Sequence, residues 1–138
     1  MALKIMMIDN DPAAHAYHLA MINNAGLDQC FVREYLKVET AIKDLQQTIE
    51  KGELEELPDV ILVDINMPGI DGWSFVNQLK KLPIVVYAPR IYIVSNSLNP
   101  IDKMKVQNST SINDFKQKFL NVDFFKSLPY NLNCPKSN

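Results

Sequence analysis

Cysteine is scarce: the two in this 138-residue chain, Cys30 in an apolar run and Cys134 near the end, lack the number and spacing of a disulfide framework or a zinc site. They read as reduced thiols in a cytosolic protein. No apolar run approaches the ~20 residues that span a bilayer. Met1-Ala2-Leu3-Lys4 leads into a short apolar strand ended by acid, not into a longer stretch with a small-residue cleavage site. A cytoplasmic chain without membrane insertion is the expectation. Basic blocks are missing too. Fourteen Lys and Arg against sixteen Asp and Glu give a formal charge of −2, which argues against direct nucleic-acid binding. There is no internal repeat and no low-complexity block, and the length leaves room for one domain with a real core but none for a second.

What the chain does have is alternation. Strand-like runs at 3–8, 30–35, 60–64, 91–95 and 112–116 are separated by segments at helical spacing, the pattern of a parallel sheet with helices on both faces. The first, third and fourth runs are nearly continuous Ile, Val, Leu and Met and suit central strands; the second and fifth are more polar and suit edges. The run Ile84-Val85-Val86-Tyr87 competes with Ile91-Tyr92-Ile93-Val94 for the fourth place. Pro89 between them would remove a ladder hydrogen bond, so the two are not joined. The later run is preferred because it ends in a hydroxyl, Ser95, as the third ends in Asp64.

Pro12 suits the first turn of a helix after Asp11, with Ala16, Leu19, Ala20 and Ile22 at helical spacing up to Gly26. Val38, Ile42, Leu45 and Ile49 mark a second helix closed by Gly52. Asp71 caps a third, whose Phe75, Val76 and Leu79 face inward. Further helices are expected near 99–107 and 121–128, followed by a frayed tail over 129–138. His15 and His18 on the first helix have no partner motif and read as packing or surface residues rather than as a metal or phosphohistidine site.

Chemistry gathers where apolar runs end. Asp9-Asn10-Asp11 follows the first strand, and Asp64-Ile65-Asn66-Met67-Pro68-Gly69-Ile70-Asp71-Gly72 opens on the last residue of the third. Open α/β sheets collect ligands at the carboxyl ends of their strands. If these two strands are parallel neighbours, their acidic tips meet and can hold a hard cation between them.

Taken in order, Ile8-Asp9-Asn10-Asp11, the stretch from Asp64 to Gly72, Ser95-Asn96-Ser97 and Phe115-Lys116-Gln117-Lys118-Phe119 resemble the receiver domain of two-component response regulators, over roughly residues 3–128. Within that family the chain is most similar to stand-alone receivers that have no output domain. The resemblance implies a flavodoxin-like (βα)5 doubly wound sheet of order 2-1-3-4-5 and a signalling protein in a phosphorelay, not an enzyme. It implies that Asp64 is the phosphoacceptor, attacking phosphorus in line to give an acyl phosphate. It further implies that Asp9, Asn10, Asp64 and the backbone carbonyl of Asn66 hold Mg²⁺, and that Ser95 and Lys118 contact the phosphoryl group. Phe115 falls at the family's aromatic switch position, and it reads equally as core. The implied partners are a sensor histidine kinase or a histidine phosphotransfer protein and a downstream protein target, the chain being a monomer or weak dimer.

Two residues depart from the family pattern. Asn10 stands where a second acidic ligand is usual, which removes one negative charge and implies weaker Mg²⁺ binding; Asp11 beside it reads as a helix cap. Phe119 stands where a cis-linked proline usually follows the lysine. A cis bond before any other residue costs about 3 kcal/mol, so a trans bond and a different loop are expected. These departures leave open an atypical receiver that binds partners without phosphorylation. A metal-dependent phosphatase with Asp64 as nucleophile is disfavoured, because Asn66 stands where a second acid is needed. Flavin binding is disfavoured as well, since the first turn presents acids instead of a Gly-rich phosphate cradle.

Overall fold

Runs that are apolar on both faces suit the middle of a covered sheet, and the chain supplies three: β1 (Lys4–Ile8), β3 (Val60–Asp64) and β4 (Arg90–Ser95). In the computed structural model, which describes residues 2–27, 29–67, 69, 71–84, 87–96 and 99–131, these three lie side by side between the more polar β2 (Phe31–Tyr35) and β5 (Asp114–Gln117). Every pairing is parallel and the order is β2-β1-β3-β4-β5, the flavodoxin-like order the sequence leads one to expect.

Alternate strand residues feed two cores. Ile5 and Met7 join Val60, Leu62, Tyr92 and Val94 beneath α1 (Pro12–Asn24) and α5 (Val122–Asn131). Met6 and Ile8 join Ile61, Val63, Ile91 and Ile93 beneath α2 (Val38–Glu50), α3 (Gly72–Lys80) and α4 (Pro100–Asn108). Helix starts follow the capping chemistry: the Asp11 side chain accepts from Ala13 N–H at 3.0 Å, and that of Asp71 from Ser74 N–H at 3.0 Å. Among the described residues, no helix is long and apolar enough to cross a membrane.

Three local expectations need adjusting. The buried face of α1 is only in part the one its apolar spacing marks: Ile22 is buried and Leu19 packs on the core, but Ala16 and Ala20 are exposed, while Ala14, His15 and His18 are buried. Burial of an imidazole is tolerated when its nitrogens find partners. Here His15 Nε2 meets Asp9 O at 2.8 Å and His18 Nε2 meets Leu120 N at 3.0 Å. Strand β5 begins at Asp114 rather than at 112, because the Ile91 N–H is taken by the Asn113 side chain at 2.9 Å and not by a backbone carbonyl. Helix α5 runs through Pro129 to Asn131, past the expected end at 128.

The later of the two competing runs is β4, as preferred. Ile84 and Tyr87 of the earlier run pack on the core, and the Tyr87 hydroxyl donates to Pro58 O at 2.8 Å. Val85 and Val86 lie outside the described residues, as do Pro68, Ile70, Ser97 and 132–138, the part of the expected tail that contains Cys134.

Candidate functional site

Parallel register brings the two acids together from distant parts of the sequence. Ile8 pairs with Val63 across the β1–β3 ladder, so the next residue of each strand, Asp9 and Asp64, emerges at the same carboxyl edge. Here the chain winds outward in both directions, from β1 to β2 and from β3 to β4, the place where doubly wound sheets open a crevice. Lys118, just past β5, reaches across it. Its Nζ lies 2.8 Å from Asp9 Oδ2 and 3.3 Å from Asp64 Oδ2.

The remaining oxygens are held by their own loops. Asp9 Oδ1 accepts from Asp11 N–H and Asp64 Oδ1 from Asn66 N–H, each at 2.9 Å. Ser95, buried at the end of β4, accepts through Oγ from Asn66 Nδ2 at 2.7 Å. Asn66 therefore braces the carboxylate through its backbone N–H and the hydroxyl through its side chain, and the second role is one the sequence does not reveal. Phe115 is half-buried against the α2–α4 core, with Lys103 Nζ 5.9 Å from its ring centroid.

Close approach of backbone shapes the loop after Asp64. A Cβ on Gly72 would stand 2.6 Å from Asp64 O and 2.9 Å from Ile65 Cα, so only glycine lets α3 start against the acid-bearing strand. Gly69 takes φ +77°, the left-handed region open to glycine.

On the far side of the crevice, the Lys118–Phe119 peptide is cis, which overturns the expectation of a trans bond. Neighbouring contacts accommodate this course. Lys118 N–H donates to Ser95 O at 2.9 Å and Leu120 N–H to His18 Nε2 at 3.0 Å. The exposed Phe119 ring packs on Tyr17 and His18, with centroids 5.1 and 5.8 Å apart.

Two carboxylates and one ammonium leave this cluster with a net negative charge. Burial pushes the Asp64 carboxyl above the ordinary carboxylate range and the Asp9 charge adds to this, while Asn66 N–H and Lys118 oppose it. Burial by itself would lower Lys118, but its hydrogen bond to Asp9 and the charges of Asp9 and Asp64 outweigh that and raise it. Such a site is short of positive charge. Mg²⁺ is commonly bound through one or two carboxylates with water completing its shell, and Asp9 and Asp64 both reach a common cationic nitrogen, so the donor set fits that ion. Asn10 is exposed and lines an adjacent cleft of about 520 Å³ with Leu36, Lys37, Met67 and Gly69. Among the described residues, no group of three His, Cys, Asp or Glu side chains is placed to hold a metal.

Comparison with known proteins agrees with this architecture. The response regulator receiver domain family matches residues 5–124. The chain is 30% identical over 103 residues to the gliding motility regulatory protein of Myxococcus xanthus, covering 75% of this chain and 12% of that protein. It is 30% identical over 95 residues to the response regulator PleD of Caulobacter vibrioides, covering 69% and 18%. It thus spans less than a fifth of the length of these curated relatives. Among solved structures, a two-component response regulator from Cytophaga hutchinsonii superposes with a TM-score of 0.82 at 22% identity, over 96% of this chain and 98% of that one. A response regulator receiver protein from Dyadobacter fermentans gives 0.78 at 22% identity, over 95% and 98%.

Proposed function

As this chain belongs to the response regulator receiver family, a signalling module of two-component systems and not an enzyme, we propose that it accepts a phosphoryl group on Asp64 and signals through a protein partner. The observation that carries this reading is the single ammonium shared by carboxylates from two strands, 2.8 Å from Asp9 and 3.3 Å from Asp64. Receiver domains partner with histidine kinases, so the donor is a phosphohistidine on a sensor kinase or on a phosphotransfer protein.

An Asp64 carboxylate oxygen attacks the phosphorus in line. The new O–P bond forms as the P–N bond breaks, and the electron pair of that bond returns to the donor imidazole. Lys118, freed from part of its carboxylate contact, pairs with a phosphoryl oxygen. Ser95, steadied by Asn66 Nδ2, moves its hydroxyl toward another, and Phe115 turns inward behind it, re-shaping the face built by α4, β5 and α5. Asp9, Asp64 and the Asn66 carbonyl, with Asn10 beside them, would hold Mg²⁺, which supplies positive charge to offset the phosphoryl oxygens. The setting proposed for this exchange is the cytoplasm.

The direct test is incubation with acetyl phosphate and Mg²⁺ followed by intact-mass measurement. An acid-labile phosphoryl adduct is expected, and its absence under conditions that label an ordinary receiver contradicts the proposal. A second reading, a binding module that works without phosphorylation, draws on Asn10 standing where an acid is usual. Magnesium titration separates the two through the fluorescence of Trp73, whose Nε1 donates to Asp102 Oδ1 at 3.2 Å between α3 and α4. Saturation at ordinary millimolar Mg²⁺ favours phosphorylation.

A further inference from the structure

Two buried histidines on α1 stand behind the site and take no part in the chemistry above. The partner of His15 Nε2 is a carbonyl, Asp9 O at 2.8 Å, so this nitrogen carries the proton; the partner of His18 Nε2 is the Leu120 N–H at 3.0 Å, so this nitrogen is bare. The second bond meets a local need. Leu120 is only 3% exposed, and a buried N–H without an acceptor is costly. Two residues earlier in the same turn, Lys118 N–H is tied to Ser95 O at 2.9 Å while its Nζ spans Asp9 and Asp64. The turn is pinned in front by β4 and behind by His18.

We propose that His18 is a positioning residue for Lys118: by accepting the Leu120 N–H it fixes the 118–120 turn so that the ammonium meets both carboxylates, and phosphoryl transfer to Asp64 depends on that acceptor. The proposal rests on the reading of Asp64 as phosphoacceptor. His15 and His18 lie one helical turn apart, so one rigid element references both the Asp9 loop and the Lys118 turn. Shape alone does not require histidine here. A leucine would fill the space beside Tyr17, Phe119 and Phe125 but leave the N–H orphaned, whereas a glutamine offers an amide oxygen at about the reach of Nε2. Burial holds the His18 pKa down at about 4, which keeps Nε2 an acceptor at neutral pH.

The experiment measures the maximal rate of phosphorylation by acetyl phosphate at saturating Mg²⁺ for wild type, His18→Leu and His18→Gln. It repeats wild type and His18→Leu in a Lys118→Ala background. We expect His18→Leu to slow labelling about tenfold, with Mg²⁺ affinity by Trp73 fluorescence changed less than about twofold, and His18→Gln to recover most of the rate. With Lys118 removed, His18→Leu should cause no further loss, the non-additivity of residues that act together. In the wild type, NMR should detect scalar coupling across the hydrogen bond from Leu120 N to His18 Nε2. If His18→Leu does not fold, His18→Asn replaces it, since its amide oxygen stops a bond short. A leucine variant that labels at the wild-type rate overturns the proposal, as do a glutamine variant no better than leucine, full additivity with Lys118→Ala, or absence of the coupling. A wild type that takes no phosphoryl group overturns the Asp64 reading itself, and this proposal with it.

Discussion

At the residue scale, the contacts that matter most are made by groups with no alternative. Gly72 is one: a methyl there would meet Asp64 O at 2.6 Å, a backbone atom that no rotamer change can move aside. Alanine has the better helix propensity by ~1 kcal/mol, yet the clash should win, and Gly72→Ala is expected to lose about 2 kcal/mol net in urea unfolding. His18 is another. Burial lowers its pKa from 6.5 to about 4, against the charge of Asp9 and helped by Lys118 and His15. The unfolded chain takes up that proton first, so native stability should fall as pH drops from about 6.5 toward 4, with no contribution above that window. Asp64, raised by burial, acts with the opposite sign above the ordinary value of 3.8. Melting wild type and His18→Gln side by side over this range cancels that effect. The wild type should show the steeper acid-side decline, and parallel curves would contradict the burial of a neutral imidazole.

Elements were legible where apolar periodicity and capping agreed. Val38, Ile42 and Leu45 of α2 and Phe75 and Val76 of α3 are buried as their spacing predicts, and β1, β3 and β4 are recognisable as central because neither face is polar. Helix α1 was legible in extent but only in part in orientation, because two of its four buried residues are histidines, and a polar side chain announces burial only through the partners it finds. The partner of His18 is 102 residues distant. The cap of α3 joins element to site, since Asp71 ends the loop that starts at Asp64. Asp71→Ala removes the 3.0 Å bond to Ser74 N–H and is expected to cost about 1 kcal/mol in thermal unfolding. An unchanged midpoint would mean that the loop, not the cap, fixes where α3 begins.

For the whole molecule, the parallel sheet converts strand ends scattered along the chain into one crevice. Asp9, Asp64 and Ser95 could be read from the sequence because each sits at or just beyond a strand end, whereas Lys118 was marked only by the resemblance to receiver domains; strand order then decides their proximity. The bracing behind them, from the Asn66 side chain, His15 and His18, could not, since it depends on rotamers and on loops crossing between elements. Charge at the crevice follows the same logic. Replacing Asn10 with Asp adds a carboxylate next in sequence to Asp9, and Asn10→Asp should tighten Mg²⁺ binding several-fold in a Trp73 fluorescence titration; no change would place residue 10 outside the ion's reach. The central claim is that this crevice directs phosphorus to a single carboxylate. Borohydride trapping after treatment with acetyl phosphate and Mg²⁺ tests it most directly, because it converts an acyl phosphate into a stable alcohol that peptide mass spectrometry can locate. The account predicts reduction at Asp64 alone, lost in Asp64→Asn; reduction at Asp9 or elsewhere, or trapping that persists in that variant, would contradict it.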